Sequence, residues 1–124
     1  KKIGEWQIVI NLKPQIYKSL IETSADDVSY FYPETWVKGK KIISYYELDN
    51  SEADSADDEE YSSDIAIQID IWCDKPSECS SLAIEVNKKM KVMGFRRTLC
   101  LDLHEENAIK HHKTMRFEKE EILE

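Results

Sequence analysis

The clearest pattern in this chain is an alternation of apolar and other positions between residues 65 and 72. Every second position there is an isoleucine: Ile65, Ile67, Ile69 and Ile71. Successive side chains of a β-strand point to opposite faces of the sheet, so this spacing predicts a strand with one fully apolar face. Residues 42–48 are rich in β-branched and aromatic side chains, which predicts a strand before it. The two strands are expected to form a hairpin.

The C-terminal third carries two further strand patterns. Apolar residues alternate with others along residues 95–103, and residues 111–118 place Met115 and Phe117 on one face. The aromatic stretch of residues 24–36 shows no such period, and a proline interrupts it. This stretch is expected to pack on the core as a loop or a short strand.

Two segments, residues 14–23 and 77–93, carry apolar residues at helical spacing. A proline opens each of them, where the missing N–H costs nothing, and Gly94 suits the position just beyond a helix end. The element order is therefore helix, two strands, helix, two strands. It predicts one α+β domain over residues 1–124, with a largely antiparallel four-stranded sheet that carries both helices on one face.

Charge is concentrated between residues 47 and 64, where nine carboxylates occur without a Lys or Arg, in a chain of net charge −8. Residues 49–63 hold no bulky apolar side chain before Tyr61, so a mobile loop is predicted at the tip of the hairpin. Its carboxylates are candidate partner-binding residues, and a merely solvated loop is the alternative. The candidates are Asp49, Glu52, Asp54, Asp57, Asp58, Glu59 and Glu60.

Residues 88–119 have the opposite balance, with nine Lys or Arg against four Asp or Glu. The C-terminal third is therefore expected to be moderately basic. The acidic total argues against specific nucleic-acid binding, which needs a dominant basic face. No apolar run is long enough for a membrane span, and no signal peptide is predicted.

Three cysteines and three histidines are the candidate ligands for a metal site: Cys73, Cys79, Cys100, His104, His111 and His112. Five residues separate the first two cysteines, which fits no zinc pattern, and adjacent histidines on a strand point to opposite faces. No metal site is predicted. The odd number of cysteines indicates a reducing compartment and thiols that act as small apolar residues.

Catalytic patterns are not found in the sequence. It contains no Gly-rich phosphate loop and no nucleophile elbow, and the acidic stretch lacks the glycine of a calcium-binding EF-hand. Asp70 is expected to be a solvent-facing strand residue without a partner. We therefore predict a protein that is not an enzyme, needs no cofactor and acts by binding other proteins.

Several short motifs resemble those of one family. The isoleucine-rich strand, residues 64–72, is followed by the predicted helix, by Gly94-Phe95-Arg96, and by a last strand of the form His-Lys-x-x-Arg-Phe at residues 112–117. The earlier part agrees through a short helix, the aromatic stretch with its proline, and a strand that ends in Tyr-Tyr-Glu at residues 45–47. This succession resembles the tail-completion proteins (tail terminator or head–tail joining proteins) of long-tailed phages and prophages.

The resemblance implies an α+β subunit that assembles into a hexameric ring, caps the tail tube and joins the tail to the head. The implied partners are the tail-tube protein and head–tail connector proteins. The implied location is the tail or neck of the virion, after assembly in the host cytoplasm. The hairpin tip would correspond to a contact loop, although this tip is longer and more acidic than the family pattern. The alternative is a small acidic adaptor or DNA mimic that binds a basic partner through its carboxylate-rich loop.

Overall fold

The computed structural model describes residues 9–34, 36–52, 61–105 and 109–123. The elements in chain order are α1 (Lys13–Leu20), β1 (Asp27–Tyr30), β2 (Ile42–Glu52), β3 (Tyr61–Cys73), α2 (Pro76–Val92), β4 (Arg96–Leu103) and β5 (His111–Leu123). The strands form one sheet in the order β1-β2-β3-β5-β4. β1 pairs with β2 in parallel, and the other three neighbouring pairs are antiparallel.

The predicted four-stranded, largely antiparallel sheet is therefore wrong, as is the predicted order of two strands between the helices. The sheet is mixed and has five strands. The sequence pattern does not predict β1 as a strand of the sheet, because β1 is only four residues long and lies inside the aromatic stretch. Its position depends on a distant partner: the N–H of Asp26 donates to the carbonyl of Lys41 at 2.7 Å, and β2 begins one residue later.

The isoleucine face of β3 is the centre of the core, as predicted. Its four isoleucines are at most 1% exposed. Side chains of both helices belong to the same core cluster, and the helices contact each other, so they cover one face of the sheet. The main contributors besides β3 are Ile16, Leu20, Ile43, Tyr45, Leu82, Val86, Met90, Met115 and Phe117.

Local signals at the helix ends agree with the structure. Pro76 is the first residue of α2, and the N–H of Lys75 donates to the carboxylate of Glu78 at 3.1 Å. Gly94 follows α2 with φ of 91°, a conformation that favours glycine. α1 ends at Leu20, before the predicted Thr23, and both the N–H and the hydroxyl of Thr23 donate to the Leu20 carbonyl, at 3.1 and 2.6 Å.

Three strands continue beyond the other two at one end of the sheet. β1 pairs only with residues 42–45 of β2, and β4 begins opposite Glu118 of β5. Past these points β2, β3 and β5 still pair through residues 49–52, 61–66 and 118–123. We call these three segments the arm. Residues 49–52 and 61–63, the two ends of the predicted 49–63 loop, are therefore strand. Residues 53–60 lie outside the described residues.

Candidate functional site

The predicted partner-binding residues divide between the arm and the stretch that the structure does not describe. Asp49 and Glu52 lie in β2 and are exposed. The other candidates lie outside the described residues: Asp54, Asp57, Asp58, Glu59 and Glu60. The structure thus places two predicted residues on the arm and leaves five as predictions.

The arm adds carboxylates that the sequence analysis did not single out. Asp64 and Glu120 are register partners on the face of the sheet that no described helix covers, and Asp49 and Glu118 lie one row away on the same face. They line a cavity of about 600 Å³ together with two cations, Arg96 and Lys119. Arg96 pairs with Glu118 at 3.6 Å. Among the described residues, Asp49, Asp64 and Glu120 form no ion pair, so this face of the arm is acidic.

Five of the nine lysines and arginines in residues 88–119 form ion pairs with carboxylates of the described part of the chain. These ion pairs are Lys89–Glu22, Arg96–Glu118, Lys110–Asp74, Lys113–Asp102 and Lys119–Glu121. Lys88 and Lys91 remain exposed on α2 and form no ion pair within the described part of the chain. Ile84 and Val92 are also exposed on this helix. Arg97 on β4 and Arg116 on β5 are exposed as well and form no ion pair among the described residues, so the unpaired cations lie on α2 and on these two strands.

At the other end of the sheet, the helix-free face carries a buried polar group. The Nε2 of His112 lies 2.8 Å from Oδ1 of Asp70, and its Nδ1 contacts the carboxylate of Glu105. The His112 and Asp70 side chains are 9% and 7% exposed. The expectation that Asp70 is a solvent-facing residue without a partner is therefore wrong. Residues 70, 105 and 112 come from β3, from the β4–β5 connection and from β5, so their separation in sequence concealed the contact.

The protonation of this group follows from its contacts. Burial lowers the pKa of His112, but hydrogen bonds with Asp70 and Glu105 outweigh burial, and the net pKa is raised. Burial raises the pKa of Asp70, while hydrogen bonds from His112 and Gln68 lower it, and the net pKa is lowered. Both shifts favour the charged pair, an imidazolium beside a carboxylate. Both ring nitrogens of His112 are engaged, so neither is free to act as a general base.

The polar group continues along the helix-free face. The amide of Gln68 donates to Asp70 at 3.0 Å and accepts from Nε of Arg116 at 3.1 Å. The hydroxyls of Ser44 and Thr114 flank Asp70 in the same row of the sheet, and the Ser44 hydroxyl has no hydrogen-bond partner among the described residues. This arrangement orders side chains across three strands.

A buried lysine holds the loops at this end together. The side chain of Lys110 is fully buried, and its Nζ donates to Asp74 at 2.5 Å and to the carbonyl of Lys40 at 2.8 Å. Asp74 also accepts from the N–H of Gly39 at 2.6 Å. These contacts join the β1–β2, β3–α2 and β4–β5 connections. We call the five side chains of His112, Asp70, Glu105, Lys110 and Asp74 the clasp, and its geometry indicates a stabilising role.

The residues weighed as a metal site are only partly brought together. Cys73 and Cys79 are both buried in the core, whereas Cys100 is exposed. His111 and His112 lie opposite Cys73 and Trp72, on opposite faces of the sheet, as predicted. Within the described residues, no group of three or more His, Cys, Asp or Glu is placed to hold a metal ion.

An exposed aromatic turn lies beside the end of β1. Phe31 has φ of 77°, and the N–H of Tyr32 donates to the carbonyl of Tyr30 at 3.0 Å, which defines a three-residue γ-turn. This turn stacks the Phe31 ring on Tyr46, with centroids 5.2 Å apart. Phe31 is half exposed and Tyr32 is 74% exposed. The stretch predicted to pack on the core therefore presents two of its rings to solvent.

Comparison with known proteins adds no relative. No protein-family model matches this chain, and no curated protein matches it. Of the described residues, no helix is both long and apolar enough to cross a membrane.

Proposed function

We propose that this chain is a structural assembly subunit of a phage or prophage tail, which caps the tail tube and joins the tail to the head as a member of a ring. The observation that carries the proposal is the acidic arm. It is a three-stranded extension of the sheet, and its Asp49, Asp64 and Glu120 form no ion pair with any residue that the structure describes. Such an extension offers a neighbouring protein a rigid and charged contact surface.

A second surface supports contacts between subunits. The exposed residues of α2 combine two unpaired cations with two exposed aliphatic side chains: Lys88, Lys91, Ile84 and Val92. α2 lies on one side of the sheet, and the acidic row of the arm faces the other side. A subunit with unlike charges on opposite sides suits head-to-tail contacts, which close into a ring when the rotation between subunits permits it.

The motifs that carry the family resemblance have roles in this fold. Gly94 makes the turn from α2 to β4, and Phe95 is buried directly after it. In the last motif, His112 belongs to the clasp and Phe117 is a fully buried core residue. The motif residues therefore support a shared fold rather than a shared catalytic site.

In this proposal the ring is a hexamer, its partners are the tail-tube protein and the head–tail connector proteins, and the protein resides in the tail or neck of the virion after assembly in the host cytoplasm. No catalysis and no cofactor are needed, because the contacts alone perform the function. The second candidate is an acidic adaptor or DNA mimic. The same carboxylates favour it, since they offer a basic partner a dense acidic surface.

The test exchanges charge on the arm. The double variant Asp64→Lys/Glu120→Lys reverses two register partners on the acidic face. The control Asp27→Lys/Glu34→Lys makes the same charge change on and just after β1, away from the arm. Electron microscopy of phage particles carrying each variant is the measurement. We expect tails of uncontrolled length, or tails without heads, for the arm variant and normal particles for the control.

Normal tails on filled heads with the arm variant would overturn the proposed role of the arm. The adaptor alternative predicts a different result, in which particles are unaffected and the arm variant loses binding to a basic protein of the host. The identity of the neighbouring genes gives an independent check, because head, tail-tube and tape-measure genes on either side support tail assembly.

A further inference from the structure

β4 forms an open edge of the sheet. It is the last strand in the order β1-β2-β3-β5-β4, so it pairs with β5 on one side and with no described strand on the other. Seven of its eight residues are exposed, and Leu99 is partly buried. About half of the backbone N–H and C=O groups of such a strand point away from its neighbour and offer hydrogen bonds to a further strand. β4 therefore offers a longer edge than β1, which has four residues.

One face of β4 carries a row of leucines. The register of β4 with β5 places Leu99, Leu101 and Leu103 on the helix-free face of the sheet. Leu101 and Leu103 are 37% and 40% exposed. The row therefore reaches the outer edge of the sheet with apolar surface still open to solvent.

The other face of β4 carries one cation and one carboxylate. Arg97, Cys100 and Asp102 lie on this face, because their register partners on β5 point to the helix side of the sheet: Phe117, Met115 and Lys113. Arg97 and Cys100 share a face despite their odd spacing, since the register shifts between Arg97 and Leu99. The carboxylate of Asp102 lies 3.0 Å from Nζ of Lys113, yet the Asp102 side chain is 80% exposed. Asp102 can therefore accept from a second cation.

We propose that a second copy of this chain pairs with this edge, β4 against β4 in antiparallel orientation, about a twofold axis that passes beside Cys100. The two sheets then continue as one. This contact uses neither the arm nor the exposed side of α2, so the inference does not depend on the proposed function. It assigns the β4 edge to self-association of the chain.

The facing side chains are complementary in this register. Arg97 of one copy lies opposite Asp102 of the other copy, and the symmetry repeats this pair. Leu99 likewise lies opposite Leu101 of the other copy, and Cys100 lies opposite its own counterpart at the axis. In each of these pairs both side chains belong to the same face of the sheet, as antiparallel pairing requires. β4 thus carries both members of every pair, which fits a second copy as the occupant.

Other registers lose this match. A shift by one residue brings side chains from opposite faces together, which antiparallel pairing does not allow. A shift by two residues in either direction moves Arg97 away from Asp102. Within the described part of the chain Arg97 forms no ion pair, and its guanidinium donates to the amide oxygen of Asn87 at 2.9 Å. Its charge is therefore available to the facing carboxylate, and charge complementarity selects one register.

Sedimentation of the full chain at increasing concentration measures the association, and we expect a reversible monomer–dimer equilibrium. Arg97→Asp and Asp102→Arg each bring like charges together twice, so each should weaken the dimer about tenfold. The double variant Arg97→Asp/Asp102→Arg restores both facing pairs and should recover most of the lost affinity. Lys18→Asp is the control, because it makes the same charge change as Arg97→Asp on an exposed residue of α1 and should leave the dissociation constant unchanged.

The thiol of Cys100 tests the register in the unsubstituted chain, so this result does not depend on the folding of variants. Diamide, which takes up the two protons and two electrons of a pair of thiols, should link two folded copies through Cys100, because Cys73 and Cys79 are buried. The matched control is Cys100→Ser/Ile84→Cys, which moves the exposed thiol to α2. Its linkage at the same protein concentration should be at least about tenfold slower, because the dimer does not bring the two thiols together.

A single monomeric mass at every concentration would overturn the proposal. Association that both single variants leave unchanged would also overturn it, because the contact would then lie elsewhere, as it does in the proposed ring. A double variant that associates no better than the single variants would contradict the pairing of Arg97 with Asp102. Equal linkage rates for the two thiols would show that Cys100 meets its counterpart only by random collision, which excludes this register.

Discussion

His112 and Asp70 are bonded diagonally across two strands. Asp70 lies opposite Thr114 in the β3–β5 ladder, and His112 lies opposite Trp72, yet Nε2 of His112 is 2.8 Å from Oδ1 of Asp70. The imidazole ring stacks on the Trp72 indole with centroids 4.4 Å apart, which sets its orientation. Trp36 packs edge-on against the same indole. The bond thus joins β3 to β5, and the ring contact of Trp36 with Trp72 adds the loop between β1 and β2.

This pair predicts how stability depends on pH. The folded pKa of His112 is raised from 6.5, so its contribution is complete below 6.5 and is lost as the pH rises through the raised folded value. The folded pKa of Asp70 is lowered from 3.8, so its contribution is present above 3.8 and is lost as the pH falls through the lowered folded value. We expect the pair to stabilise the fold most between these two unfolded-state values.

Urea denaturation of His112→Phe and of the unsubstituted chain measures this effect. At pH 5.5 the variant should lose about 3 kcal/mol, because Asp70 stays buried without its cation. The difference between the two proteins should shrink at alkaline pH, where the unsubstituted chain has lost the imidazolium. His104→Phe is the control, since His104 is exposed. An equal loss at every pH would contradict the ionic role of His112.

Replacement of Lys110 by Met should also weaken the fold. The change removes a fully buried cation, leaves Asp74 with the Gly39 N–H alone and takes the Lys110 donor from the Lys40 carbonyl, at a cost of about 2 kcal/mol. Lys88→Met removes an exposed lysine of α2 and should change the free energy of unfolding by less than about 0.5 kcal/mol. Equal effects of the two variants would show that Lys110 does not hold the loops together.

The isoleucine face of β3 predicts a larger effect at its centre. Ile69→Asp should abolish cooperative unfolding, because an unpaired carboxylate would replace a fully buried aliphatic side chain. Ile84→Asp makes the same change on the exposed side of α2 and should keep a cooperative transition. Thermal melts followed by circular dichroism distinguish the two. A normal transition for Ile69→Asp would place the core elsewhere.

Gly39 and Gly94 both have positive φ, so alanine strains the backbone at either position. Only at Gly94 does the added Cβ also meet a close neighbour. Gly39→Ala at φ of 85° meets no atom within 4 Å, so its cost of about 1 kcal/mol comes from the backbone alone. Gly94→Ala at φ of 91° also brings Cβ to 3.3 Å from the Lys119 side chain, which is anchored on the Met93 carbonyl. We expect Gly94→Ala to be the more destabilising in urea denaturation. The reverse order would show that Lys119 moves aside freely.

Local patterns predicted most of the elements because their causes are local. The period of two in residues 65–71 follows from burial of one strand face, and the prolines and Gly94 mark helix ends through their own backbone preferences. The patterns failed where the decisive partner is distant in sequence. Asp70 was expected to face solvent because the sequence places His112 far from it, and only the pairing of β3 with β5 brings them together.

The sequence by itself determined the inward face of β3, the two amphipathic helices and the concentration of carboxylates near the hairpin tip, since each depends on side chains within a few residues of one another. Tertiary structure decided the parallel addition of β1, the continuation of three strands as the arm, the ion pairs of five C-terminal cations, and the contact between His112 and Asp70. These features depend on strand order and register, which arise from pairing between distant segments and leave no periodic signal in the chain.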